Sequence, residues 1–273
     1  MPADTLDAVV QTKRLGRVLV VTMARSPVNA LDDTLVDQLD AAIETARQDE
    51  SISVLHLRSA LRVFSAGADL ALIRRSVATA EGRETMLALV RRMQLLYDKL
   101  EAAPLITLAE IGGAALGGGF ELALGCDLRI AAHEARVGLP EVALGLLAAA
   151  GGTQRLTRLV GPGLAKRLIL GAETVDGATA ERLGLVQWSL PRAGLEAGAR
   201  ALAERLSAMP RHALVAAKSC MSAALDPTRN GFAEEIAHTR AQYQHPITQA
   251  LVTAFLARNA PKAEPNPTQE TRA

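Results

Sequence analysis

Apolar and polar positions follow one pattern in the first half of the chain and another in the second. Short β-branched or continuous apolar runs at 17–23 (RVLVVTM), 53–58 (SVLHLR) and 105–111 (LITLAEI) read as strands. Between them the period becomes helical. A helix opening at Asp32 or Asp33 brings Leu35, Val36, Leu39, Ala42, Ile43 and Ala46 to one face. A second helix, over 83–100, aligns Met86, Leu89, Val90, Met93, Leu96, Tyr97 and Leu100, and Pro104 stops it. A short helix is predicted over 120–125, after a glycine-rich turn. Strand alternating with helix predicts α/β layering. From residue 152 onward strand signals fade except at 185–190, and helices are predicted over 153–160, 163–170, 176–183, 195–208, 212–225, 231–243 and 247–259. Pro191, Pro210, Pro227 and Pro246 fall where the last four should start or stop. The expected organisation is a core domain over 1–191, a helical C-terminal region over 192–262, and a polar, proline-containing tail over 263–273 that is expected to be disordered.

A chain of 273 residues buries a sizeable core. Hydrophobic residues make up 49% but aromatics only 3%, so Ala, Leu and Val must build that core through close backbone packing. With 30 Lys and Arg against 29 Asp and Glu, the net charge of +1 offers no field for nucleic acid or an anionic membrane. Cys126 and Cys220 are too few for a disulfide framework and suit a reducing compartment. No apolar run has the length of a signal peptide or a membrane span, so a soluble cytoplasmic protein is expected.

Residues 112–127 (GGAALGGGFELALGCD) carry the first chemical signal, five glycines within eight residues between a strand and a helix. Such a turn packs tightly, and it also leaves helix N-terminal amides free to face developing negative charge. It matches neither the dinucleotide fingerprint nor the phosphate loop. Glu121 falls in the first turn of that helix, where a carboxylate complements the dipole. Within 137–152 (VGLPEVALGLLAAAGG), Glu141 is the only charged residue of sixteen. An acid so placed must raise its pKa or find a partner, which is how acid/base groups are tuned. Ala66, Gly67 and Ala68 in VFSAGADL can expose further amides, while Asp69 has the plainer role of capping the next helix. Glu110, in an otherwise apolar strand, is expected to meet a partner at a subunit interface.

Taken in order, VFSAGADL, GAALGGGFELALGCDLRIA, GLPEVALGL and GGTQRLTRLVG, with SPVNAL at 26–31 and AERLGLV at 180–186, resemble the enoyl-CoA hydratase/isomerase (crotonase) family over 17–262. The resemblance implies a spiral of ββα units followed by an α-helical trimerisation region, with homotrimers often stacking into hexamers. It implies an acyl-CoA thioester substrate and no cofactor beyond that coenzyme A. The amides of Ala66 and Gly118 would form an oxyanion hole, and Glu121 and Glu141 would be the catalytic acids. Ala30, Ala68, Asp69 and Leu70 would lie along the CoA, with Arg25, Phe255 and Lys262 near its phosphates and adenine. Keeping both acids favours hydration or dehydration over isomerisation, with a specialised dehydratase of the carnitinyl-CoA type as the alternative. One departure is Ala148-Ala149-Ala150, where the family usually has Pro-Gly-Ala or similar, and this bears on the acyl pocket.

Other classes fit less well. A nucleic-acid-binding member of the fold would need a basic helix, yet 32–50 carries Asp33, Asp37, Asp40, Glu44, Asp49 and Glu50 against Arg47. His56, His133, His212, His238 and His245 lack metal-ligand spacing, and no G-x-S-x-G elbow occurs.

Overall fold

The computed structural model describes residues 8–259. Along the chain run β1 (Val10–Leu15), β2 (Val18–Met23), α1 (Asp33–Gln48), β3 (Val54–Ser59), α2 (Leu70–Val77), α3 (Ala80–Glu101), β4 (Ile106–Ile111), β5 (Ala115–Leu116), α4 (Gly118–Leu124), β6 (Leu128–Ala132) and β7 (Arg136–Gly138). After a 3-10 turn at Glu141–Leu144 come α5 (Gly152–Leu170), β8 (Thr174–Asp176), α6 (Gly177–Arg182), β9 (Trp188–Leu190), α7 (Arg192–Ser207), α8 (Arg211–Ala223), α9 (Gly231–Gln244) and α10 (Pro246–Arg258). The chain divides into two compact units, 1–211 and 212–273.

In the first unit a six-stranded sheet runs in the order β1-β2-β3-β4-β6-β9. β1 is antiparallel to β2, and every later neighbour is parallel. β4 is buried at every position, as expected of a parallel strand covered on both faces. The helix predicted from Asp32 forms because the Asp32 carboxylate accepts the Leu35 N–H at 3.0 Å, and its six predicted apolar residues are the six that are buried. The helices predicted over 153–160 and 163–170 both form within α5, separated at Gly161, whose φ 77° and ψ 162° are non-helical, just ahead of Pro162. β1, β5, β6, β7 and β8 were not predicted: β1 is polar and mostly exposed, and β5, β7 and β8 have only two or three residues each.

The division after residue 211 lies twenty residues beyond the boundary expected at Pro191. The reason is α7, whose buried stripe of Leu195, Ala199, Leu202 and Ala203 packs on the sheet, so it belongs to the core. The tail expected over 263–273 lies outside the described residues. Among the described residues no helix is long and apolar enough to cross a membrane.

Candidate active site

The segments leaving the carboxyl ends of β3 and β4 lie side by side. Phe64 N–H donates to Ala114 O at 2.9 Å, Leu116 N–H donates to Ser65 O at 3.0 Å, and Ser65 bridges Ala115. On the other flank Ala66 N–H donates to Val28 O at 3.0 Å and Leu31 N–H to Gly67 O at 2.9 Å. This corrects the expectation for Ala66, because its amide is already occupied. Ala68 pairs with Leu31 as a parallel bridge. In that pairing Leu31 donates to Gly67 O, and the Ala68 N–H takes no part in it. Among the described residues, the N–H groups of Ala68 and Gly118 make no hydrogen bond, and both residues line one cavity.

Gly118 opens α4 because Gly117 turns the chain at φ 53° with its own N–H held by Gly138 O at 3.0 Å. A Cβ on Gly117 would also stand 2.9 Å from Glu141 Oε1. Only glycine suits that position.

Glu121, in the first turn of α4, is 2% exposed. Its Oε1 accepts the Gly152 N–H at 2.7 Å, the first amide of α5, and a Cβ on Gly152 would lie 2.8 Å from that same oxygen. Burial pushes the Glu121 carboxyl up to about 7; the neighbouring Glu141 adds to the rise, while the Gly152 and Ala150 amides and the Arg155 charge oppose it. Glu141 opens the 3-10 turn. Burial raises its pKa too, and its Oε2 is buried with no hydrogen-bond partner. Both acids line the same cavity of about 630 Å³. The remaining walls are aliphatic, from Ile73, Val77, Met86, Val90 and Met93 on one side to Leu144, Leu146, Leu147, Ala149 and Ala150 on the other. Ala149 and Ala150 of the triple-alanine departure thus form wall, with Ala149 O held by Gln94 Nε2 at 2.6 Å.

The other expected residues separate into groups. Ala30 is buried beside the Ala66 segment. Asp69 caps α2, accepting from Ala71 and Leu72 N–H at 2.8 and 3.0 Å, and Leu70 opens that helix. Arg25 pairs with Asp32 at 2.5 Å, close enough to Asp69 to help lower its pKa, after the Leu72 and Ala71 amides. Phe255 lies exposed on α10 of the second unit, and Lys262 lies outside the described residues. Glu110 meets a partner within its own chain, since His56 Nε2 lies 2.9 Å from its Oε2, both side chains buried, though the pair is not aligned as a hydrogen bond. Sequence reasoning missed Arg155, which is buried behind the Glu121 loop. Its signal was a charge at the head of the otherwise buried stripe of Gly152 and Leu156.

Two acids facing one cavity, two unfilled amides and aliphatic walls at the strand ends of a mixed α/β spiral define a class. The profile described as Enoyl-CoA hydratase/isomerase matches residues 13–264, and the chain belongs to that family. It is 39% identical over 209 residues to the 2,3-dehydroadipyl-CoA hydratase of Escherichia coli, covering 76% of this chain and 79% of that one. It is 43% identical over 191 residues to the mitochondrial enoyl-CoA hydratase domain-containing protein 2 of Mus musculus, covering 67% and 61%. The chain spans 64%, 61% and 52% of the length of curated relatives it matches from Bacillus subtilis, Mus musculus and Bos taurus. The crotonase fold is shared with Pseudomonas aeruginosa DspI, at TM-score 0.85 and 32% identity over 96% of this chain and 100% of that one. It is shared equally with the enoyl-CoA hydratase of Bacillus anthracis, at TM-score 0.85 and 29% identity over 93% and 98%.

Proposed function

We propose that the protein is an enoyl-CoA hydratase, catalysing the reversible syn addition of water across the 2,3 double bond of a trans-2-enoyl-CoA. The observation that carries this reading is the pair of unfilled N–H groups, on Ala68 and Gly118, opening on the cavity that buried Glu121 and half-buried Glu141 both line. As water adds at C3, charge develops on the thioester oxygen. Two fixed amides stabilise it, each donor being worth about 3 to 4 kcal/mol. In this account Ala68 takes the role that sequence reasoning gave to Ala66.

Glu121, anchored by the Gly152 amide, holds and deprotonates the attacking water; Glu141, with its unpartnered Oε2, delivers a proton to C2. The reverse reaction exchanges these roles. Burial raises both carboxyls, which suits proton exchange at the site near neutral pH. Retention of both acids favours hydration over isomerisation of the double bond. The aliphatic wall favours an uncharged acyl chain over the ω-carboxylated acyl group named for the Escherichia coli relative. Ala30, Asp69 and Leu70 would border the CoA, with Arg25 towards its phosphates. No separate cofactor is required.

The α9 and α10 helices expose Phe232, Ile236, Tyr243, Leu251, Phe255 and Leu256. An apolar surface of that size supports a homo-oligomer, a trimer or hexamer, which gel filtration would reveal as a species several times the chain mass.

The test is loss of the enoyl thioester absorbance with crotonyl-CoA. Glu121→Gln and Glu141→Gln should each slow the wild-type rate by about 10² to 10⁴. Full activity in either variant rejects that residue's role.

A further inference from the structure

Neighbouring residues on α3 reach the two halves of the site. Tyr97, fully buried, donates its hydroxyl to Gly118 O at 3.0 Å. The next residue, Asp98, accepts from Arg155 Nη2 at 2.5 Å, and Glu101, one turn on, accepts from Arg155 Nε at 3.0 Å. The remaining arm of the guanidinium, Nη1, donates to Ala150 O at 3.2 Å. Two residues further along, Gly152 gives its N–H to Glu121.

The burial is lopsided. The Arg155 side chain is 8% exposed, while its partners Asp98 and Glu101 are 66% and 41% exposed. A surface ion pair would leave the arginine in water; here it is inserted beneath the loop, and the loop is shaped to receive it. Gly151 takes φ 104°, and a Cβ there would stand 2.2 Å from Nη1. The planar fork, with three arms in fixed directions, spans α3 and the loop at once, which a single ammonium cannot do. Arg155 is absent from the cavity wall, so it has no route to the substrate except through that loop.

We propose that Arg155, braced by Asp98 and Glu101, is a positioning residue that holds the 150–152 peptide against Glu121 and so fixes this acid's orientation for proton transfer. The inference rests on the hydratase reading above. Its charge and the amides it holds also favour the ionised form of Glu121. Removing them makes Glu121 harder to ionise, so the acid limb of the hydration rate should move to higher pH.

The experiment measures kcat, KM and the pH profile for crotonyl-CoA hydration by Arg155→Met and Arg155→Lys, with melting curves to verify folding and Glu121→Gln alongside. For Arg155→Met, kcat should fall about 10- to 100-fold with KM within about twofold, and the acid limb should move to higher pH. For Arg155→Lys, which keeps the charge and loses the fork, kcat should fall at least about fivefold with the acid limb near its wild-type position. A folded Arg155→Met with an unmoved acid limb, or a folded Arg155→Lys with full kcat, overturns the proposal. If Arg155→Met does not fold, Arg155→Lys decides. If Glu121→Gln stays active, the hydratase reading itself fails; if it is inactive while both Arg155 variants behave as wild type, only the positioning role fails.

Discussion

Glu110 on β4 and Glu121 on α4 are both buried carboxylates of the first unit, 6% and 2% exposed, yet their surroundings differ in kind. Glu110 stands 2.9 Å from the His56 imidazole, on the sheet, away from the cavity wall. Among the described residues Glu121 makes no ion pair; it has a backbone amide, a second acid nearby, and open space in front of it. Burying an acid beside a base stiffens a core, whereas burying one among amides at the edge of a cavity leaves its proton available. On the proposed reading, the same residue type is structural in one place and chemical in the other.

The sharpest way to break this contrast is to move Glu121 without altering its charge. Gly152→Ala adds a good helix former at the head of α5 but sets a Cβ 2.8 Å from Glu121 Oε1. Steady-state kinetics should show kcat down by about 10²-fold or more, the cost of misplacing a reacting group by a fraction of an ångström to an ångström. Unchanged kcat would mean that the position of Glu121 is immaterial.

Next in size is the response to a charged substrate. An ω-carboxylated enoyl-CoA should show kcat/KM at least about hundredfold below a neutral chain of equal length, because the aliphatic wall offers its carboxylate no partner. Equal rates would point to an acyl path other than this cavity.

A third consequence is thermodynamic. The folded value of about 7 for Glu121 lies above its ordinary 4.5, so the folded state prefers the protonated form. Its contribution to stability is complete below pH 4.5, declines from there to about pH 7, and is lost above it. Glu121→Gln, neutral throughout, should therefore match wild type in chemical denaturation near pH 4.5 and exceed it by about 3 kcal/mol at pH 8. A gap that does not vary with pH would contradict the raised value.

The smallest effect belongs to Glu110. Replacing it with Gln should lower stability by about 1 to 3 kcal/mol and leave kcat within about twofold, since it touches neither the cavity nor the two acids. A large loss of kcat would erase the distinction between the two buried carboxylates.

Much of this contrast could be read from the sequence, and its gaps have identifiable causes. Glu121 and Glu141 stood out because a charge in an apolar or glycine-rich run is conspicuous, and α1 was legible because an N-cap and a 3.6-residue stripe are local signals. The amide-bearing residue was assigned to Ala66 rather than Ala68 because the choice depends on pairing with Val28 and Leu31, about 37 residues earlier. Nothing within AGAD itself says which N–H is already used. The partner of Glu110 was visible in principle, as His56 and Glu110 are polar residues inside two largely apolar strands; recognising it required the β3–β4 register, in which His56 pairs with Leu108, two residues from Glu110. The boundary at Pro191 failed for a similar reason, since a proline marks the start of α7 but not the surface on which that helix packs.

The most direct test of the central claim is a crystal structure of the wild-type protein with the unreactive thioester acetoacetyl-CoA. The account predicts the thioester oxygen about 3 Å from the N–H groups of both Ala68 and Gly118, with the acyl C3 facing Glu121 and C2 facing Glu141. A thioester oxygen bound away from those two amides, or an acyl group outside the cavity that both glutamates line, would contradict it.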